Sequence, residues 1–298
     1  MSGSSPQTRR RGRPARRYRA CPATIYTGEH RIMRENRTTA LRLLIGGALV
    51  ALPAMVVQAG GFIGLGAAYG PDYEGSNDYK ALPALFGHYA WESGRYVNLG
   101  AAGGAEKAIR LSANLLTAGS GVTWEAGPLL QYRLERNDVD DDKVDDMKNV
   151  DAATEAGAFV GMKVDRWSVS LAFAADVSDK YNGYLGYLKG GYSLPVNDKL
   201  KLGLGAHLTY ADSNYMQQYF GVKKKDAARS GLKRYSADSG LKDWGLSVTA
   251  NYAFNKSWGL MGVVGYTRLM NDAEDSPLVS DRGDENQVTS LLAITYSF

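Results

Sequence analysis

Residues 199–210, KLKLGLGAHLTY, alternate at every step between two kinds of side chain. One set is apolar and the other is small or polar, and a period of two predicts a β-strand. A soluble sandwich exposes bulky charged residues, whereas the wall of a narrow barrel turns small and polar residues inward, so this strand favours a barrel. The apolar face is Leu200, Leu202, Leu204, Ala206, Leu208 and Tyr210, and the other face is Lys199, Lys201, Gly203, Gly205, His207 and Thr209.

The same alternation runs through residues 167–177, 242–254 and 286–298, where only Ser290 and Leu291 interrupt the last pattern. No stretch after residue 59 approaches the length of a membrane-spanning helix, so a membrane-spanning body must be built from strands. We predict twelve strands, at about 61–69, 80–90, 95–102, 108–116, 123–135, 154–164, 167–177, 184–194, 199–211, 241–254, 257–269 and 286–298.

The lengths of the predicted connections between strands depend on whether the connection is even-numbered or odd-numbered along the chain. The even-numbered ones are all short: 91–94, 117–122, 165–166, 195–198 and 255–256. All four long ones are odd-numbered: 70–79, 136–153, 212–240 and 270–285. The sequence therefore predicts an all-β fold, a transmembrane antiparallel β-barrel with short periplasmic turns and long extracellular loops, and both ends of its body on the periplasmic side.

Aromatic residues support that orientation. Trp91, Trp124, Trp167 and Trp258 lie at or beside short turns, where an interfacial girdle is expected. The alternative is that they are ordinary core tryptophans at strand ends. The chain ends on Phe298, with Tyr296 and Ile294 on the same face, and this ending is typical of the signal read by the outer-membrane assembly machinery.

The first 59 residues differ from the rest. They hold 11 of the 35 basic and 2 of the 31 acidic residues, so 24 basic and 29 acidic residues remain from Gly60 onward, and the basic balance is no argument for nucleic-acid binding. Residues 33–59 have the basic start, apolar run and Val57-Gln58-Ala59 ending of a signal peptide. Residues 1–32 are either a mis-annotated start or a functional basic extension, and residues 60–298 form the predicted barrel. The only cysteine, Cys21, lies in the leader.

Four loop-bearing segments resemble the MipA/OmpV family of outer-membrane proteins. They are residues 69–83 (YGPDYEGSNDYKALP), 126–133 (AGPLLQYR), 211–232 (ADSNYMQQYFGV, then SGL) and 275–287 (DSPLVSDRGDENQ). The resemblance covers essentially all of residues 60–298. The motif residues in the three loops are Asp72, Tyr73, Glu74, Gly75, Tyr215, Met216, Phe220, Gly221, Asp281, Arg282 and Gly283.

This resemblance implies an outer-membrane scaffold that links the membrane to murein-processing enzymes, a lytic murein transglycosylase and a penicillin-binding protein. The other hypothesis is a narrow channel, or a surface adhesin that acts through its extracellular loops. Outer-membrane lipid and lipopolysaccharide are the expected surroundings. We expect no enzymatic activity and no cofactor, because the body has two isolated histidines, His88 and His207, and no Ser/His/acid constellation.

Each of two charged loop segments has two interpretations, a ligand-binding site or a solvated loop. Asp138, Asp140 and Asp142 have the spacing of the first three calcium ligands of an EF-hand, but Lys143 and Asn149 stand where that loop needs Gly and Glu. We favour a solvated loop for this acidic segment. The basic run at 223–225 could contact lipopolysaccharide phosphates, but there too a hydrated loop is the favoured interpretation. The predicted inward-facing charges are Glu125, Arg133, Glu135, Asp176, Lys189 and Lys201, which pair in a sealed barrel and stay wet in a pore.

Overall fold

The computed structural model describes residues 59–101 and 105–298. The predicted signal peptide and the basic leader lie outside the described residues, so both stay predictions. The strands are β1 Gly60–Pro71, β2 Tyr79–Ala90, β3 Tyr96–Ala101, β4 Ala108–Asn114, β5 Leu116–Ala118, β6 Val122–Arg133, β7 Ala153–Val164, β8 Trp167–Asp176, β9 Tyr184–Pro195, β10 Leu200–Ala211, β11 Gly240–Ala253, β12 Trp258–Leu269 and β13 Asn286–Ser297. The helices are α1 Asp142–Asp145, α2 Ser213–Tyr219, α3 Lys224–Ser230 and α4 Pro277–Ser280.

The strands close into one antiparallel ring. Except for β4 and β5, each strand pairs with its neighbours in the chain, and β1 pairs with β13, where Phe62 lies opposite Ser297. Both β4 and β5 pair with β6, so together they count as one interrupted strand and the wall has the twelve strands that the sequence predicts. The interruption faces Pro128, which has no N–H to donate to a neighbouring strand.

The two ends of the barrel differ as predicted. One end, the short-turn end, carries the turns at 91–95, 119–121, 165–166, 196–199 and 254–257, together with Gly60 and Phe298. The opposite end, the long-loop end, carries loop 1 (72–78), loop 2 (described for 105–107), loop 3 (134–152), loop 4 (177–183), loop 5 (212–239) and loop 6 (270–285). In the described part of the chain, none of the helices has the length and apolar character needed to span a membrane.

Alternation places apolar side chains on the outside of the wall. On β10, Leu204 is 47% exposed and Leu208 is 37% exposed, whereas the inward Thr209 is 3% exposed. Leu291, which interrupts the predicted pattern of the last strand, lies inside against Met261 and Val263. The outer surface is therefore an apolar band, as a barrel in lipid requires.

Aromatic side chains border this band at both ends. At the short-turn end, Trp91, Trp124, Trp167 and Trp258 are all between 44% and 63% exposed, so they are surface residues and not core tryptophans. At the long-loop end, tyrosines take the same position, for example Tyr69 against Tyr79 with ring centroids 5.4 Å apart. The predicted girdle is thus confirmed at the short-turn end, and the other end has a second one.

Candidate functional site: the closed long-loop end

Loops 1, 3, 5 and 6 fold over the barrel mouth and pack on one another; we call this assembly the cap. The Ser276 hydroxyl of loop 6 donates to the Phe220 carbonyl of loop 5 at 2.6 Å. Arg136 of loop 3 donates to the Tyr219 carbonyl of loop 5 at 2.9 Å. The Tyr73 hydroxyl of loop 1 donates to the Leu278 carbonyl of loop 6 at 3.3 Å. The four loops are therefore joined to one another by hydrogen bonds and form one assembly.

The family-motif residues of three separate loops meet in this cap. Ser76 and Gly283 form a β-bridge between loops 1 and 6. Gly75 has φ +95°, and the Cβ of any side chain at Gly283 would lie 1.8 Å from the Gly75 carbonyl oxygen, so both positions require glycine. Met216 and Phe220 are 1% and 0% exposed beneath the loops. The remaining motif residues lie in or around the same contact: Asp72, Tyr73, Glu74, Tyr215, Gly221, Asp281 and Arg282.

Buried ionised groups join the cap to the barrel wall; we call this set the mouth network. Its first centre is the ammonium of Lys242, which is 0% exposed and contacts the carboxylates of Glu74, Glu106 and Asp243. The distances are 2.5 Å to Asp243 and 3.3 Å to Glu106. Loop 1, loop 2 and β11 are thus held by one cation.

Arg133 on β6 is the second centre of the mouth network. Its guanidinium donates to Glu155 at 2.6 Å, to Glu106 at 3.2 Å and to the Tyr215 hydroxyl at 3.0 Å. The Tyr215 hydroxyl in turn donates to Glu74 at 2.9 Å. Because Tyr215 is the third residue of α2, this chain of hydrogen bonds fixes the helix of loop 5 inside the mouth.

A β-bulge supplies Lys242. The register between β10 and β11 shifts at Thr209 and Tyr210, so Lys242 is the extra residue and both it and Asp243 point inward. Strict alternation would place Lys242 on the outer face with Trp244. Sequence reasoning missed this residue for that reason, and a bulge next to a functional region is a recurrent way to redirect a side chain.

Burial and pairing set the protonation of the loop residues. Burial alone would raise the pKa of Glu106, but Arg133 and Lys242 outweigh it and hold the pKa below its ordinary value. Burial, together with the neighbouring Glu106 and Asp243, raises the pKa of Glu74 despite Lys242. Glu74 therefore takes up a proton more readily than Glu106.

Asp72 forms a smaller clamp at the edge of the cap. Its carboxylate accepts from Lys80 at 2.8 Å, from Lys107 at 3.2 Å and from the backbone N–H of Asp140 at 2.8 Å. Burial alone would raise the pKa of Asp72, but these partners lower it below the ordinary value. The clamp ties loop 1 to β2, loop 2 and loop 3.

The predicted inward-facing charges divide into confirmed and wrong ones. Glu125 pairs with Lys163 at 2.6 Å, and Arg133 anchors the mouth network. Glu135 is exposed in loop 3, because β6 ends at Arg133, so its inward prediction is wrong. Asp176, at the last position of β8, accepts from backbone N–H groups of loop 4, such as that of Tyr181 at 2.7 Å, and so does not pair across the lumen.

The other two predicted lysines face inward at different levels. Lys189 lies 5.7 Å from the centroid of the Tyr187 ring, below the mouth network. Lys201 is half-buried on the inner face near the short-turn end. The assembly residues Ile294, Tyr296 and Phe298 face outward at that same end, away from the motif residues of the cap.

Three carboxylates of the mouth network, Glu74, Glu106 and Asp243, are close enough to share a metal ion. The Lys242 ammonium already lies among them and neutralises part of their charge. The chemistry of this arrangement is that of a buried ion-pair network, which fixes a conformation.

Comparison with known proteins identifies the family. The family model described as MltA-interacting protein MipA matches residues 63–298. The chain belongs to the MipA family. It is 30% identical to the putative outer membrane protein YiaT of Escherichia coli K12 over 84% of this chain and 97% of that protein. It is 27% identical to the MltA-interacting protein of the same organism over 87% of this chain and 100% of that protein.

A third relative is the outer membrane protein OmpV of Vibrio cholerae, 29% identical over 53% of this chain and 61% of that protein. Among solved structures, the NanC porin has a TM-score of 0.45 at 10% identity and covers 78% of this chain and 98% of its own. An outer-membrane channel from Pseudomonas putida F1 has a TM-score of 0.45 at 12% identity and covers 83% of this chain and 97% of its own. As a family member with a closed barrel, the protein is an outer-membrane protein.

Proposed function

We propose that this protein is a non-enzymatic, non-conducting outer-membrane scaffold that presents its short-turn end to a lytic murein transglycosylase in the periplasm. The observation that carries the proposal is the mouth network: it fixes the cap by charged groups that are almost wholly buried. Breaking such a network leaves uncompensated charges in a low-dielectric interior, which is costly. A barrel built for diffusion would gain nothing from this seal.

The choice of partner follows from the family. A relative of similar length, aligned over 87% of this chain, is named for its interaction with MltA, and the motif residues of the resemblance are present here. A penicillin-binding protein as a second partner follows from the family resemblance alone. On the outer side, we propose that the exposed lysines of loop 5 at 223–225 contact lipopolysaccharide, whose phosphates suit lysine as a point charge.

The size of the short-turn end limits how the scaffold works. Twelve strands spaced about 4.8 Å apart and tilted by about 40° give a barrel about 24 Å across between backbones. With side chains, its end face covers about 700 Å², close to the roughly 800 Å² that one partner buries in a standard interface. The short-turn end therefore accommodates one enzyme of standard footprint at a time, so two enzymes must alternate or contact each other.

Retention of a purified lytic murein transglycosylase on the immobilised protein tests the proposal. We expect retention at low salt, and we expect charge reversal at two exposed turn residues, Arg166→Glu with Lys256→Glu, to weaken it. The matched control is Lys224→Glu with Lys225→Glu, which reverses two exposed charges at the opposite end and should leave retention unchanged. If the unmodified protein retains no transglycosylase at low salt, the scaffold proposal is wrong.

A further inference from the structure

His207 is isolated in the sequence, and the pairing of β10 with β11 gives it a neighbour. It lies on the inner face of β10, directly opposite Gly245 on β11. A Cβ at Gly245 would lie 2.2 Å from the Cε1 atom of the His207 ring, so the imidazole takes the space that a side chain at this position would fill. The Nε2 atom of the ring lies 3.3 Å from the Oδ1 atom of Asp243. Strand register thus brings an imidazole to the edge of the mouth network.

The Nε2 atom of His207 and the Oδ1 atom of Asp243 are close but not hydrogen-bonded. The two side chains are 8% and 1% exposed, and within the described part of the chain neither atom has a hydrogen-bond partner. Buried polar atoms nearly always have a partner. A zinc ion at about 2.1 Å from a histidine nitrogen and from a carboxylate oxygen holds the two ligand atoms about 3.4 Å apart in tetrahedral geometry. The observed separation therefore fits two ligands of one metal ion.

Glu106 offers a third donor atom beside this pair. Its Oε2 atom accepts hydrogen bonds from Arg133 and from the Tyr187 hydroxyl, whereas its Oε1 atom has no hydrogen bond among the described residues. Carboxylate oxygens of Glu106, Asp243 and Glu74 lie within 4.8 Å of one another. An imidazole with two or three carboxylates suits a first-row transition-metal dication such as zinc, whereas calcium and magnesium prefer oxygen ligands alone.

Lys242 leaves room for such an ion in position and in charge. Its ammonium contacts the Oδ2 atom of Asp243 at 2.5 Å, not the Oδ1 atom that faces the imidazole. The direct ion pairs that the described residues make with the four carboxylates of the mouth network involve two permanent cations, Lys242 and Arg133. Two further cations of the lumen lie against the Tyr187 ring: Arg110 and Lys189. The network can therefore take up additional positive charge.

From this arrangement we infer that His207, Asp243 and Glu106 form a binding site for a divalent transition-metal ion such as zinc on the lumen side of the mouth network. The ion binds the Nε2 atom of a neutral imidazole and the free oxygens of the two carboxylates. It links loop 2 to β10 and β11, so its binding strengthens the closed mouth. The inference does not depend on the scaffold function.

Zinc retention by the detergent-solubilised, tag-free protein tests the inference. After equilibration with zinc and gel filtration, elemental analysis should find about one zinc ion per chain, and excess calcium should not displace it. His207→Gln should lower the zinc affinity by more than about tenfold, because loss of even an outer-shell partner costs about 10–100-fold. The matched control is His88→Gln, since His88 bonds to Asn98 away from the mouth network, and it should keep the affinity. Heat-modifiability on gels shows that each variant is folded.

A second pair of variants tests whether residue 207 contacts the metal. His207→Cys replaces the imidazole with a thiolate, and a bound cobalt ion should then show a thiolate-to-metal charge-transfer band in the near ultraviolet. His88→Cys should show no such band.

Three results would overturn the inference: no zinc retained by the unmodified protein, equal zinc affinity of folded His207→Gln and the unmodified protein, or no difference between the spectra of the two cysteine variants. The contact of His207 with Asp243 is then an ion pair of a protonated imidazole. Retention of the transglycosylase is measured separately on the same protein, so failure of this inference and failure of the scaffold proposal are distinguishable.

Discussion

The two ends of the lumen are built from the same alternating strands but have opposite character. At the long-loop end, the inward groups are charged and buried, as Lys242 and Glu155 show with 0% exposure. At the short-turn end, inward groups such as Ser170, Lys201 and Asn251 are small or polar and partly exposed. The inward groups of the two ends therefore differ both in charge and in burial, and the proposed scaffold function depends on this difference.

The difference has a physical cause in the loops. The periplasmic connections are as short as two residues, for example Asp165 and Arg166, and have no chain with which to cover the opening. Loop 5 alone has α2 and α3 and sends Tyr215 to the centre of the mouth. The charged residues at the mouth are tolerable because each has a partner of opposite charge, since isolated charges in such an interior are very costly.

The largest effect is expected from removing the cation shared by three carboxylates. Lys242→Met should destabilise the closed cap by about 3–5 kcal/mol, because Glu74, Glu106 and Asp243 lose their compensation. Hydrogen exchange of the α2 amides measures this as a loss of protection. The control is Lys225→Met, which changes an exposed lysine of loop 5, the loop that contains α2. This variant should change the protection of the α2 amides little. Unchanged protection in Lys242→Met would show that the mouth network does not hold the cap.

A second effect concerns assembly at the short-turn end. The backbone of Phe298 is paired with Gly61 in both directions, at 2.9 and 3.0 Å, and its ring stacks near Tyr89. We expect Phe298→Ala to lower the amount of folded barrel in the outer membrane several-fold. Heat-modifiability on gels measures the folded fraction. Phe254→Ala, at an outward aromatic that is also exposed and lies at another strand end, is the control, and an equal loss in both variants would refute a specific terminal signal.

A smaller effect isolates one hydroxyl of the cap. Tyr215→Phe removes the bonds to Arg133 and Glu74 but keeps the ring that stacks on Tyr219 at 4.4 Å. The cap should lose about 1–3 kcal/mol, because buried polar partners are left unsatisfied. Hydrogen exchange of the α2 amides measures this loss of stability. The control is Tyr235→Phe, at a partly buried tyrosine of the same loop. Equal protection in both variants would show that the Tyr215 hydroxyl does not stabilise the cap.

The smallest effect is the pH dependence of the Asp72 clamp. Its pKa in the folded protein lies below the ordinary value of 3.8, so the clamp contributes stability above that pH and loses it as the pH falls through the folded pKa. Loop 1 amides, corrected for intrinsic exchange, should lose protection only below about pH 4. Asp72→Asn should show reduced protection at neutral pH and no further acid loss from this site. An unchanged acid loss in that variant would contradict the assignment.

Much of the fold follows from the sequence because a period of two is a local property. The outward and inward faces of β10 read directly from residues 200–209, and the short turns read from the gaps between alternating runs. The cap does not follow in this way. Glu106 meets Lys242, and Arg133 joins Glu106 to Glu155, only when loop 2, β6, β7 and β11 come together in the ring, and no local pattern marks these residues. The motif loops identified residues of the cap, such as Glu74 and Tyr215, but not their contact with one another.

The errors have equally specific causes. Alternation extended β6 to Glu135, whereas the strand ends at Arg133, where loop 3 begins. Asp176 continued the inward face of β8, but nearby N–H groups of loop 4 satisfy its carboxylate first. The bulge adds Lys242 as an extra residue and so turns it inward, where strict alternation places it outward. Each miss lies where regular strand geometry gives way to a loop.

The most direct test of the account is ion conductance of the purified protein in planar bilayers. A barrel sealed by the mouth network should show no steady single-channel steps at neutral pH. A variant that lacks residues 213–238 of loop 5 loses α2 and α3 and should conduct through the lumen, which proves that the protein has inserted. Steady, ion-selective steps from the unmodified protein would contradict the closed scaffold and support the narrow-channel hypothesis instead.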